Sequence, residues 1–148
     1  MVDFKVAINT TLLVVDDNIA QLELRTLVLT MSGFNVLRAS NPRDAISILA
    51  KLSPGTVDVA VLDYEMPEMN GCTLADYIKS RYPAMGVILH SGCPDIPERE
   101  MGNVDSCVPK GEGVGRLLEQ ISALARDHFV ALSSAFGAET SAAASPAC

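Results

Sequence analysis

Five side chains suited to phosphoryl chemistry stand at the ends of short apolar runs. Asp16 and Asp17 follow TLLVV, Asp63 follows VAVL, Ser91 closes GVILHS, and Lys110 comes just after SCVP. Carboxylate oxygens are what a hard divalent ion such as Mg2+ prefers, and that ion commonly takes its remaining ligands from water and a phosphoryl group. Singly, each residue has a plainer reading. An Asp-Asp pair before a helix is a cap with a solvated neighbour, and a lysine after a strand is surface. Ser91 before Gly92 is turn chemistry, and Asp63 ahead of Met66-Pro67 opens a turn. Their joint placement at four separate run ends is what points to a site.

Such a placement needs a particular scaffold. Short apolar runs bounded by turn residues alternate with segments whose apolar positions recur every three to four residues, the pattern of βαβ units. The runs are Thr11 to Val15, Asn35 to Ala39, Val57 to Leu62, Gly86 to Ser91 and Ser106 to Val108. Within them LLVV, VAVL and VILH are nearly continuous in apolar residues, as strands covered on both faces require. The expected fold is α/β, a doubly wound sheet of five parallel strands. Ligands of such sheets bind beyond the carboxyl ends of the strands, where the strand order reverses.

Helical segments separate the runs. Ala20, Leu24, Leu27, Val28 and Met31 share one face of a first helix, and Gly33 supplies its stop. A second begins with Asn41 as N-cap, Pro42 at the first helical position and Asp44 complementing the dipole, with Ala45, Ile48, Leu49 and Leu52 as its buried stripe. Leu74, Tyr77 and Ile78 mark a third. Val114, Leu117, Leu118, Ile121, Leu124 and Ala125 mark the last. The fourth connection, Gly92 to Asp105, carries Pro94, Pro97 and Gly102, which leaves room for at most a short or irregular helix around Glu98 to Met101.

Composition bounds the function classes. At 148 residues the chain suits one domain, and 49% hydrophobic against 20% charged residues predicts a packed core. Eleven Lys and Arg against 18 Asp and Glu give a net charge of -7, which argues against an electrostatic grip on nucleic acid or anionic lipid. No apolar run approaches the roughly 20 residues of a membrane span, and the N-terminal stretch is too short for a signal-peptide core, so a cytoplasmic protein is expected. Cys72, Cys93, Cys107 and Cys148 are scattered without metal-ligand spacing and read as free thiols. Residues 1–129 form the expected domain. Val130 to Cys148, rich in Ala and Ser, reads as a disordered tail.

VVDDN at 14 to 18, VLDYEMPEMNG at 61 to 71, ILHSG at 88 to 92 and VPKG at 108 to 111 together resemble the receiver domains of two-component response regulators. The match covers about residues 10 to 129. It implies the flavodoxin-like strand order 2-1-3-4-5, of which the chemotaxis member of this family is a familiar example. It also implies that Asp63 accepts a phosphoryl group from a phosphohistidine on a kinase or phosphotransfer protein. Asp17, with Asp16 behind it, would hold Mg2+ together with Asp63 and the backbone carbonyl of Glu65. Lys110 would pair with the phosphoryl oxygens, and Ser91 would be the switch hydroxyl that moves toward them.

Several positions depart from the family pattern. Cys107 stands where the family usually has an aromatic that reports phosphorylation. Gly111, not a proline, follows Lys110. The segment between Ser91 and Lys110 is short, which disfavours dimerisation through that face and suggests a monomer or weak dimer. Glu65, two residues after the acceptor, would tune dephosphorylation by repelling or orienting water. His90 reads as packed beside the site, and Cys72 as buried and inert.

The leading expectation is a stand-alone phosphorylatable switch that acts through contacts with a downstream protein and is not itself an enzyme acting on another substrate. One alternative is a receiver-like scaffold that is never phosphorylated. Another is an aspartyl-phosphate phosphatase of the haloacid dehalogenase type, with Asp63 as nucleophile and Glu65 as acid or base. The acidic pair on an earlier strand argues against the phosphatase.

Overall fold

Strand propensity and near-continuous apolarity place the five runs side by side. In the computed structural model, which describes residues 9–92 and 95–127, they form one parallel sheet in the order 2-1-3-4-5. The strands are β1 (Thr11–Val15), β2 (Asn35–Ala39), β3 (Val59–Leu62), β4 (Gly86–Ser91) and β5 (Ser106–Pro109). β3 starts two residues later than the apolar run suggests. There the Asp58 amide bonds to the Thr11 carbonyl while the Asp58 carboxylate accepts from the Thr11 amide at 2.8 Å, a local loop that replaces ladder pairing. β5 runs one residue further, through Pro109, which pairs in register with Ser91.

Helices α1 (Ile19–Met31), α2 (Pro42–Ala50), α3 (Gly71–Arg81) and α4 (residues 114–127) connect and cover the strands. Each of the first three is started by an asparagine side chain, Asn18, Asn41 and Asn70, that accepts an amide hydrogen from the first turn. Gly33 ends α1 at φ 100°, a backbone conformation only glycine adopts cheaply. Among the described residues, the fourth connection has no α-helix and contains one 3-10 turn, Glu98–Glu100, directly after Pro97.

Alternation along the strands sorts the core into two layers. Leu13, Val15, Leu62 and Leu89 pack with α2 and α3 through Ala45, Leu49, Leu74 and Ile78. Leu12, Val14, Val61 and Ile88 pack with α1 and α4 through Leu22, Leu29, Leu117 and Ile121. Truncating a fully buried leucine such as Leu62 or Leu117 to alanine costs about 2–5 kcal/mol.

The face expected for α1 is corrected. Leu22 and Leu29 are buried, whereas Ala20 is exposed and Leu24, Leu27 and Met31 are more than half exposed. Apolar residues occur all around this helix, so spacing alone does not choose its face. The turn through Asp16, Asp17 and the Asn18 cap sets the rotation and turns Leu22 and Arg25 inward. Val114 is likewise exposed, at the first turn of α4 before the helix reaches the sheet. The expected tail from Val130, together with His128, Cys93 and Cys148, lies outside the described residues.

Candidate acidic site at the strand ends

Parallel strands in this order deliver the ends of β1, β3, β4 and β5 to one edge, and the five predicted side chains meet there. Asp16, Asp17, Asp63, Glu65, Ser91 and Lys110 all line one open cleft of about 980 Å³. One carboxylate oxygen from each of Asp16, Asp17 and Asp63 lies within 4.8 Å of the others. Oxygen-only donors at that separation fit a small hard cation. Asp16 is fully buried, Asp63 and Ser91 are nearly so, and Asp17 and Glu65 are exposed at the rim.

Lys110 bridges the acids. Its Nζ lies 3.1 Å from Asp16 Oδ2 and 3.2 Å from Asp63 Oδ1, and donates to Gln21 Oε1 at 2.6 Å. Asp16 is held from every side. Its Oδ1 accepts the Asn18 amide at 2.9 Å, and its Oδ2 also accepts Arg25 Nη1 at 2.9 Å.

The two buried acids therefore titrate in opposite directions. Burial opposes ionisation of Asp16, but the Asn18 amide, Arg25 and Lys110 outweigh it and hold the carboxyl below its ordinary value. Asp63 is raised, first by burial and then by the charge of Asp16, with Lys110 only partly compensating. A carboxylate crowded by like charge in this way gains from any cation that reaches the cleft.

The loop after β3 places Asp63. The Gly71 amide donates to the Tyr64 carbonyl at 2.8 Å, which closes the loop from Asp63 to the start of α3. A side chain at 71 has no room, because a Cβ there would collide with the Asp63 carbonyl oxygen and stand 2.8 Å from Leu89 Cδ1. Glu100, on the 3-10 turn, accepts from Tyr64 Oη at 3.2 Å and from Asn70 Nδ2 at 3.5 Å. One carboxylate thus straps the fourth connection to both ends of the loop that follows Asp63.

His90 points to the opposite side of β4 from Ser91, toward α1 and α4. Burial, Arg25 and Lys110 lower its pKa to about 4, so it is neutral at physiological pH. Cys72 is buried at the start of α3 and its thiol is pushed up to about 11, chiefly by burial, which agrees with the inert reading.

Arg25, Gln21 and Glu100 are the site residues that sequence reasoning missed. Gln21 and Arg25 lie four and eight residues beyond Asp17, the spacing of one helical face, and that was the available signal. Nothing local marks Glu100.

Similarity to known proteins agrees with this geometry. The family model described as response regulator receiver domain matches residues 12–122, and the chain belongs to that family, a signalling domain of two-component systems. A probable transcriptional regulatory protein, TcrX, of Mycobacterium tuberculosis is 29% identical over 119 residues, covering 78% of this chain and 50% of that protein. A protein-glutamate methylesterase/protein-glutamine glutaminase of Archaeoglobus fulgidus is 40% identical over 80 residues, covering 53% of this chain and 22% of that protein. The chain thus spans half or less of the length of these curated relatives. Among solved structures, the response regulator protein TrrA of Thermotoga maritima, in complex with Mg2+-BeF, matches with a TM-score of 0.72 at 25% identity, covering 78% of this chain and 98% of that one. A receiver domain protein from Clostridium thermocellum shares the fold, with a TM-score of 0.76 at 23% identity over 82% of this chain and 98% of that one. No described helix is long and apolar enough to cross a membrane.

Proposed function

We propose that this receiver domain accepts a phosphoryl group on Asp63 from the phosphohistidine of a kinase or phosphotransfer protein, and signals in the cytoplasm by contacts with a downstream protein. On this reading the domain is a switch, a monomer or weak dimer, that contacts neither nucleic acid nor membrane directly. The observation that carries it is the meeting of Asp16, Asp17 and Asp63 within 4.8 Å, with Lys110 Nζ 3.2 Å from the acceptor oxygen.

A carboxylate is a competent phosphoryl acceptor once its charge is offset. An Asp63 oxygen bonds to phosphorus as the P–N bond to the donor imidazole breaks, and the electron pair of that bond stays on the imidazole nitrogen. Asp17 and Asp63, with Asp16 behind them and the Glu65 carbonyl beside them, are the residues that would hold Mg2+. When bound, the ion supplies positive charge that offsets the carboxylates and the incoming oxygens. Lys110, already beside Asp63 Oδ1, pairs with a phosphoryl oxygen. Ser91, buried at the end of β4, donates its hydroxyl to another and carries the charge change toward β5 and the fourth connection. Glu65 stands at the rim, where its carboxylate tunes the approach of hydrolytic water.

Incubation with Mg2+ and acetyl phosphate, followed by intact mass analysis, tests the reading. The expected result is one base-labile phosphoryl adduct, absent in Asp63→Asn. A wild-type protein that stays unmodified and shows no spectral response to beryllofluoride is the unphosphorylated scaffold instead. Continuous turnover of unrelated phosphomonoesters would mark a phosphatase.

A further inference from the structure

Arg25 is a largely buried cation beside an acidic site that already has Lys110. Its side chain is only 12% exposed, and its guanidinium meets a carboxylate that is 0% exposed. Three of the roughly four lone-pair positions of Asp16 are thereby used, by the Asn18 amide, Arg25 and Lys110. Asp17, by contrast, is exposed and pairs with no cation among the described residues. Within the cluster of Asp16, Asp17 and Asp63, three carboxylates face two cations, leaving one net negative charge to attract a divalent ion, and Glu65 adds another at the rim.

We infer that Arg25 is a built-in counter-cation that forms a neutral internal pair with Asp16, reserves that carboxylate as a positioning group, and weakens the affinity of the site for Mg2+. The inference rests on the Mg2+-dependent reading of the site given above. Asp17 and Asp63 are then the carboxylates with oxygens to offer. Asp16 orients Lys110 and the Asn18 turn, fixing where Asp17 and the start of α1 stand. A unit charge within a Debye length, about 10 Å, of a divalent ion in a cleft open to water changes affinity by roughly tenfold. The domain would therefore bind the metal loosely until a phosphoryl donor adds its own negative charge.

The sign of the effect separates this role from a merely structural salt bridge. Titration of the full chain with Mg2+, followed by calorimetry and by the amide resonances of Asp16 to Asn18, is made for wild type, Arg25→Met, Arg25→Lys and Arg25→Gln. Arg25→Met is expected to bind Mg2+ about tenfold tighter, Arg25→Lys to match wild type, and the uncharged Arg25→Gln to tighten binding as Arg25→Met does. Arg25→Gln also covers the case in which Arg25→Met does not fold, because its amide can still donate to the buried Asp16 carboxylate. Unchanged or weaker binding in folded Arg25→Met or Arg25→Gln overturns the inference. Absence of Mg2+ binding in every variant, with no phosphoryl adduct on wild type, overturns the parent reading instead.

Discussion

Replacing Gly71 by alanine sets a packing clash against a helix gain, and the structure decides between them. Gly71 is the first residue of α3, where alanine would favour the helix by at most about 0.5–1 kcal/mol. Against that, the new Cβ collides with the Asp63 carbonyl oxygen and stands 2.8 Å from Leu89 Cδ1 and 3.1 Å from the Asp63 carbonyl carbon. Carbon pairs settle at about 3.5–4.0 Å, so Leu89 must retreat by about 0.7 Å within a fully buried layer. The Asp63 backbone, tied to β1 by its amide, must shift too. Overpacking of this kind costs about 1–3 kcal/mol, and a backbone obstacle puts it at the upper end. The expected net loss is about 1–2 kcal/mol, a fall in Tm of roughly 2–8 °C. Because the obstacle is Asp63, the proposed acceptor, displacement by a large fraction of an ångström is also expected to slow phosphorylation by acetyl phosphate, by about tenfold or more. Calorimetry and the rate of adduct formation measure the two effects. Gly102→Ala, where a Cβ meets nothing within 4 Å, is the control and should leave both unchanged. A Gly71→Ala protein with wild-type Tm and wild-type phosphorylation would refute the claim that this contact places Asp63.

Three further outcomes are expected. Asp63→Asn should raise Tm at pH 7, since the folded state raises the pKa of this carboxyl and so disfavours its charge; the gain shrinks as pH falls through the raised value and vanishes below the ordinary one, which melting at stepped pH would show. Cys72 should resist iodoacetamide in the native protein at pH 8 and react only after denaturation, as peptide mapping would read out, because its thiol titrates at about 11 and is buried. Glu100→Gln or Tyr64→Phe should speed hydrogen exchange across residues 98–104 several-fold while lowering Tm by less than about 4 °C, because the strap crosses the surface and the core layers do not depend on it.

The acidic site was largely legible in the sequence because parallel topology does the gathering. Each apolar run had to end at the same edge, so Asp16, Asp17, Asp63, Ser91 and Lys110 could be placed by counting to the ends of runs. Asn41, Pro42 and Asp44 were legible for a local reason, since capping chemistry acts within one turn. The face of α1 was not, because Ile19, Leu24, Leu27 and Met31 are as apolar as the buried Leu22 and Leu29, and rotation is set by the preceding turn. Arg25 and Glu100 were hidden for a related reason. Their partners lie on other elements, and pairing across 9 or 36 residues is decided by how the layers dock.

The sheet order leaves β2 and β5 as its two open borders, and both are poor templates for a foreign strand. β5 is four residues long and ends in Pro109, which has no amide hydrogen to donate, while β2 carries the exposed Arg38. Backbone zippering of a second chain onto this sheet is thereby discouraged at either border, as is runaway strand-to-strand stacking. On the proposed reading, the partner's contacts then fall to helix and loop side chains, which can be substituted without disturbing the ladder beneath.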